Sequence, residues 1–178
     1  MTRTRYKIYE TEYPYFMTCT VVGWLPLFTH PDRFRIIYDS WAWFHDRQRL
    51  RVLAYVILEN HLHFVASGPE LSKDVGIFKS YTARQIIDAL QRRGTKTLLH
   101  QLKREKAAHK TDREYQVWQE GSHPQQISSD EMMWQKIEYI HNNPVSRGYV
   151  DDPLYWTHSS ATNYTGQSGP FPVFTDWR

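Results

Sequence analysis

The stretch Glu59-Asn60-His61-Leu62-His63-Phe64-Val65 follows directly on the apolar run 52–58, and this pair of segments decides the fold. Together they predict a β-hairpin whose second strand carries both histidines. Successive side chains of a strand point to opposite faces, so His61 and His63 project to one side and Leu62 projects to the other, into the core. Two imidazoles about 7 Å apart along one face can converge on one metal ion, with a third ligand from elsewhere. An isolated pair is also compatible with histidines that have no function, and only a nucleophile and a third ligand at a matching place would favour a metal site.

Periodic apolar residues mark the elements around this hairpin. Residues 15–22 are β-branched and aromatic and predict a strand. Helical spacing predicts helices over 31–49 and 71–93, the second stopped by Gly94. A polar and strongly basic helical segment is expected over 98–110.

The second half of the chain predicts one more strand and one more helix. Residues 115–118, Tyr-Gln-Val-Trp, are typical of a last strand. Ser128 with Glu131 has capping-box spacing and predicts the start of a helix, which Pro144 is expected to end at Asn143. This order predicts a single α+β domain over 1–178, a ferredoxin-like or RRM-like antiparallel sheet with helices packed on one face. Residues 161–178 are expected to form a C-terminal tail.

Composition and charge limit the class of protein. Of the 178 residues 40% are hydrophobic and 15% aromatic, which predicts a folded globular chain with one sizeable core. The formal charge is only +3, but residues 91–113 hold eight basic residues against two acidic ones. This basic block is either a footprint for a polyanion or a solvated helix face. A shorter basic lead-in comprises Arg3, Arg5 and Lys7.

Cysteine usage and hydropathy exclude several classes. Cys19 is the only cysteine, so neither an intramolecular disulfide nor a cysteine-rich zinc site is expected. The sequence has no apolar run near 18 residues and no charged and then apolar leader at Met1. Neither a membrane span nor a secretory signal is predicted, and the expected location is cytoplasmic.

Tyr139 and Asn143 supply the missing chemistry for a site. They are four residues apart and therefore share one helix face, while Ile137 and Ile140 lie on a different face, which can pack against the core. A phenol beside a carboxamide oxygen offers a nucleophile and a third metal ligand. The same pair is also compatible with a surface tyrosine next to a C-terminal asparagine cap.

The ordered set of these motifs resembles the REP-associated tyrosine transposases, single-tyrosine HUH enzymes of the insertion-sequence transposase superfamily. The motifs are His61-Leu62-His63, Glu138-Tyr139-Ile140-His141-Asn142-Asn143-Pro144-Val145, Gly148-Tyr149-Val150, and Trp156 with Ser159-Ser160. The resemblance covers nearly the whole chain, from residue 15 to residue 160, and implies a fold of the HUH endonuclease type. One departure is Glu59, which stands where the family usually has proline.

By this resemblance His61, His63 and Asn143 are the metal ligands, for Mg²⁺ or Mn²⁺, and Tyr139 is the nucleophile. The resemblance implies nicking and strand transfer of single-stranded DNA through a 5′-phosphotyrosine intermediate, on palindromes that fold as hairpins. It further implies a single-chain enzyme, expected as a monomer. The hairpin is expected to have a double-stranded stem and a single-stranded flank. The residues expected to contact this DNA are basic: Arg3, Arg5 and Lys7 for the flank, and Arg92, Arg93, Lys96, Lys103 and Arg104 for the phosphates of the stem.

Four alternatives stay open from the sequence. Tyr81, followed by Gln85, is a rival nucleophile, although the Asn-Pro-Val run follows only Tyr139. A non-catalytic module for single-stranded nucleic acid would use aromatic stacking platforms, namely Tyr15, Phe16, Phe64 and Trp118. A metal-free phosphoesterase needs two His-x-Ser/Thr motifs, and the histidine pair lacks the hydroxyl residue. A domesticated family member would process DNA at chromosomal repeats without mobility.

Overall fold

The computed structural model describes residues 7–177. Four strands form one antiparallel sheet in the order β2-β3-β1-β4: β1 (Tyr15–Thr20), β2 (Arg51–Ile57), β3 (His61–Ser67) and β4 (Gln125–Gln126). The helices are α1 (Pro31–Asp46), α2 (Leu71–Arg92), α3 (Lys96–Arg104) and α4 (Asp130–Ser146). A βαββαβ order, here with α3 added before β4, is ferredoxin-like. The predicted α+β class with an antiparallel sheet is therefore confirmed.

The predicted hairpin is β2 and β3, and β3 lies inside the sheet between β2 and β1. Its register pairs His63 with Thr18 of β1 and with Val56 of β2. Leu62 and Phe64 are completely buried in the larger core, and the two histidines lie on the opposite face. Because β3 is hydrogen-bonded on both edges, the spacing of its two imidazoles is fixed by the sheet.

Both faces of the sheet are covered, each by its own core. The larger core lies between the sheet and the helices α1 and α2, and includes Trp41 and Phe78. The smaller core lies on the other face, where Phe16 and Val65 meet Ile137 of α4. The prediction placed the helices on one face of the sheet. This holds for α1 and α2, whereas α4 covers the opposite face, which carries the histidines.

Helix α4 departs from the prediction at both ends. Its N-cap is Ser129, whose Oγ accepts the Met132 N–H at 3.2 Å, so the cap is not Ser128. The helix also continues through Pro144 to Ser146, so the prediction that proline ends it was wrong. Proline removes one backbone donor, but so close to the end of the helix the loss is small. Gly148, with φ 74°, follows the true end.

The predicted strand over 115–118 was wrong. Trp118 makes a single bridge to Val21, and the fourth strand is instead Gln125–Gln126. Side chains hold this segment in place: the Gln116 amide donates to the Trp118 carbonyl at 2.8 Å, and the Trp118 indole donates to Thr82 Oγ1 at 3.0 Å. The basic helix α3 begins two residues earlier than predicted and ends at Arg104.

The C-terminal residues pack onto the domain. Phe171 is buried in the larger core, and the Phe174 N–H donates to the Val52 carbonyl at 3.1 Å. Across residues 7–177, no helix combines the length and the apolar character needed to cross a membrane.

Candidate functional site

The two histidines of β3 form the floor of the site. Both side chains are buried, and their ring centroids are 4.8 Å apart with the planes nearly perpendicular. His61 Nδ1 donates to Asn60 Oδ1 at 2.6 Å, and His63 Nδ1 pairs with Thr18 Oγ1 at 2.8 Å. Partners on Nδ1 leave Nε2 of each ring as the ligand atom, which is the usual arrangement of metal-binding histidines.

Burial keeps both imidazoles neutral. It is the largest cause that lowers the pKa of His61 to about 4, with a further lowering by the Arg147 charge and an opposing contribution from Glu59. For His63 burial is again the largest cause, followed by His61, Arg147 and Lys136, and the pKa falls to about 3. Neutral imidazole is the form that ligates a metal, so both rings are ready to bind one at neutral pH.

Helix α4 brings the predicted nucleophile and third ligand to this floor. The Tyr139 ring centroid lies 5.4 Å from that of His63 and 5.7 Å from that of Phe16. Tyr139 is 51% exposed, and its hydroxyl group takes part in no hydrogen bond within residues 7–177. Asn143, one turn further on, is buried. The four residues predicted for catalysis therefore lie together, beside an open cleft of about 480 Å³ along α4.

Arg147 is a member of the site that the sequence did not reveal. Its Nε donates to Asn143 Oδ1 at 3.1 Å, and its Nη2 lies 3.5 Å from His61 Nε2. It is four residues after Asn143, so the spacing that selected Tyr139 and Asn143 also points to it. The expectation that the helix ended before Pro144 concealed this signal.

These residues fit a divalent cation. Within residues 7–177 no three His, Cys, Asp or Glu residues gather as a site, so the third ligand would be the Asn143 amide oxygen. Two neutral imidazoles and one amide oxygen leave positions open for phosphate and water, which suits Mg²⁺ or Mn²⁺. The Arg147 guanidinium donates a hydrogen bond to that same amide oxygen.

Aromatic residues line the rim on two sides. The Trp24 ring meets the His61 ring edge to face, with centroids 5.7 Å apart. On another side the Tyr149 hydroxyl donates to Glu59 Oε1 at 2.8 Å, and the Tyr149 ring stacks on Trp156. The Glu59 carboxylate thus holds the Tyr149 side chain in place.

The rival tyrosine and the stacking platforms lie elsewhere. Tyr81 is exposed between α1 and α2, where it lines a cleft of about 290 Å³ with Trp43 and Ile77, on the face opposite the histidines. The proposed platforms cannot stack on bases because all of them are buried, so that expectation was wrong; they are Tyr15, Phe16, Phe64 and Trp118.

The basic residues expected at DNA divide into three groups. Arg3 and Arg5 lie outside the described residues, and Lys7 is exposed. Three others pair with acidic side chains: Arg93 with Asp32, Lys103 with Glu114 and Arg104 with Glu105. Arg92 and Lys96 are exposed and have no acidic partner between residues 7 and 177.

Comparison with known proteins identifies the fold of this chain. No protein-family model matches the chain, and no curated protein matches it. A solved structure of a REP-associated tyrosine transposase bound to a REP hairpin aligns with a TM-score of 0.66 and 17% identity, over 100% of this chain and 92% of that one. A provisionally assigned transposase from Deinococcus radiodurans R1 aligns with a TM-score of 0.45 and 17% identity, over 80% of this chain and 97% of the other. The chain therefore shares the fold of a REP-associated tyrosine transposase.

Proposed function

We propose that this protein nicks single-stranded DNA and transfers the cut strand, using Tyr139 as the nucleophile. The observation that carries the proposal is the position of Tyr139: its exposed phenol stands over the buried imidazole of His63, one helical turn before the buried Asn143. A half-exposed tyrosine with an unbonded hydroxyl, beside three neutral donor atoms, suits attack on a phosphate at a metal centre.

The reaction we propose is an in-line displacement at phosphorus. The Tyr139 oxygen forms a bond to phosphorus, and the bond from phosphorus to the 3′ oxygen of the preceding nucleotide breaks. The phenol proton passes to solvent, to which Tyr139 is open, and the leaving 3′ oxygen takes up a proton. The 5′-phosphotyrosine keeps the energy of the phosphoester bond, so a second 3′-hydroxyl can attack it and reseal the strand.

The residues around Tyr139 have separate duties in this proposal. His61, His63 and Asn143 would hold Mg²⁺ or Mn²⁺, which supplies charge stabilisation at the phosphate oxygens. Arg147 places a guanidinium at the mouth of the same site, where it can contact the phosphodiester.

The substrate we propose is DNA that folds as a hairpin with a single-stranded flank. Support comes from the shared fold, because the neighbour of known structure was bound to a REP hairpin. Exposed basic side chains on α2 and α3, Arg92 and Lys96 among them, suit the stem phosphates. A single-stranded flank leaves its bases open to side chains at the site.

The test is capture of the covalent intermediate. Wild-type protein incubated with Mn²⁺ and a hairpin oligonucleotide labelled 3′ of the cut should give a slower, denaturant-resistant band. Tyr139→Phe keeps the ring and its contacts with His63 and Phe16 but removes the attacking oxygen, so the band should disappear. EDTA should abolish it as well.

Tyr81→Phe is the matched control, because Tyr81 is a helical tyrosine of equal exposure (52%) on the other side of the sheet. It should form the band at the wild-type rate. A band that survives Tyr139→Phe and is lost in Tyr81→Phe would transfer the role to Tyr81. Absence of a band with every hairpin tried, in both Mg²⁺ and Mn²⁺, would contradict the proposed chemistry.

A further inference from the structure

Trp24 stands out at the rim of the site because its conformation is costly and its ring is exposed. Its φ is 54°, in the left-handed region that non-glycine residues avoid, and 55% of the residue is open to solvent. Burial of the ring therefore does not compensate for the backbone conformation. Left-handed non-glycine residues of this kind cluster at ligand clamps and active sites.

The turn that carries Trp24 is fixed from three directions. The Val21 N–H donates to the Asn60 carbonyl at 2.9 Å, and the Val22 N–H donates to the Val117 carbonyl at 2.8 Å. Gly23, with φ 60°, leaves room for the side chain of Glu105, since a Cβ there would meet Glu105 Cγ at 2.6 Å. The indole is therefore presented by a rigid backbone, which reduces the entropy lost when a ligand binds.

The surroundings of the indole indicate its ligand. Within residues 7–177 the only ring it meets is that of His61, and 55% of the residue is open to solvent. One cation lies close, since Arg147 Nη2 is 3.5 Å from Nε2 of His61, and behind Gly23 the Glu105 carboxylate is neutralised by Arg104. An exposed aromatic surface beside a cation and the proposed phosphate-binding centre suits a nucleobase with its backbone phosphate.

We propose that Trp24 is the stacking platform for one unpaired nucleobase of the single-stranded flank, next to the phosphate that is cut. The inference rests on the proposed function and adds a base-binding position to it. Every base has a π face, so the platform should tolerate sequence changes at this nucleotide but require a base there.

The experiment measures binding in a Tyr139→Phe background, which prevents cleavage. Fluorescence anisotropy gives the Kd for a hairpin with its flank intact and for a series in which each flank nucleotide in turn is abasic. Trp24→Leu should weaken binding to the intact flank about tenfold, in the range expected for removal of one base–aromatic stack. At one position of the series the abasic DNA should bind Trp24→Leu and the parent equally, because both partners of the stack are then already missing.

Trp43→Leu is the matched control, since Trp43 is 41% exposed on α1, away from the histidines. It should leave every Kd unchanged. If Trp24→Leu folds poorly, Trp24→Gly removes the ring while easing the left-handed conformation. An unchanged Kd, or an equal loss with every abasic DNA, would overturn the platform. The covalent band that depends on Tyr139 tests the proposed function separately. The Trp24 platform and the proposed function can therefore fail independently of each other.

Discussion

Arg147 lies between the Asn143 amide oxygen and His61 Nε2, the two atoms that a cation would also need. Arg147 and a cation should therefore compete for these atoms, and single substitutions can test this. Its Nε holds the Asn143 amide oxygen, and its Nη2 lies 3.5 Å from His61 Nε2. A guanidinium is always charged, so it repels a divalent ion at this position. The residue that we propose contacts phosphate would therefore oppose metal binding.

We expect Arg147→Ala to bind Mn²⁺ more tightly and to cut DNA more slowly. Loss of the neighbouring charge should improve the Mn²⁺ Kd about thirtyfold, which equals roughly 2 kcal/mol for a divalent ion about 4 Å from a unit charge in water. Isothermal titration with Mn²⁺ alone checks the first effect, and single-turnover nicking checks the second. Weaker Mn²⁺ binding would mean that Arg147 orients Asn143 instead of competing for it. Arg35→Ala, at an exposed arginine of α1 on the opposite face of the sheet, is the control that should change neither.

At the scale of elements, the hairpin of β2 and β3 and the helices α1 and α2 were predictable, because alternating or 3.6-residue apolar patterns marked them directly. The start of α4 was missed by one residue because two serines, 128 and 129, compete for the same cap. Its end was missed because the rule for the residue before proline is a preference, which the last turn of a helix can override. That error hid Arg147.

Trp24 was missed because its importance lies in a positive φ and a distant contact with His61, which no local pattern encodes.

A second prediction for the helices concerns the exposed basic residues of α2 and α3. Arg92 and Lys96 have no acidic partner within the described part of the chain, so their replacement by glutamine frees no carboxylate to repel DNA. The double variant should bind a hairpin more weakly, and the slope of log K against log salt should fall by about 0.7 to 0.9 for each phosphate that is no longer neutralised. Arg35→Gln with Arg47→Gln, on α1 and at its C-cap, should leave the slope unaltered. An unaltered slope in the first variant would identify the basic block as a solvated face.

The stability of the whole molecule should depend on pH through histidines outside the site. His45 Nε2 accepts the Val52 N–H at 3.0 Å, and the His158 ring stacks on Phe34. Burial lowers the pKa of each to about 4, against an ordinary value of 6.5. The unfolded chain therefore takes up protons first as the pH falls, so stability is constant above about pH 7 and declines from about 6.5 towards 4.

Urea unfolding at pH 7, 6 and 5 measures this decline. Each histidine should contribute at most about 1.4 kcal/mol per pH unit to the fall in the free energy of unfolding. His45→Gln keeps an acceptor for the Val52 N–H but cannot take up a proton, so its stability should fall less between pH 7 and 5 than that of the wild type. An identical pH profile in the two proteins would show that His45 titrates normally in the folded chain.

The position of Tyr139, the proposed nucleophile, along the chain has a consequence for synthesis. The histidines lie on an inner strand whose neighbours, β1 and β2, are both made before or with it, whereas α4 follows more than sixty residues later. Domains fold progressively as they emerge, and contacts between near neighbours in sequence form fastest. A ribosome that stops before residue 139 releases a chain with imidazoles but no attacking phenol. If Tyr139 is the nucleophile as we propose, truncated products would be unable to cut DNA, and cleavage would be confined to chains that have been completed through α4.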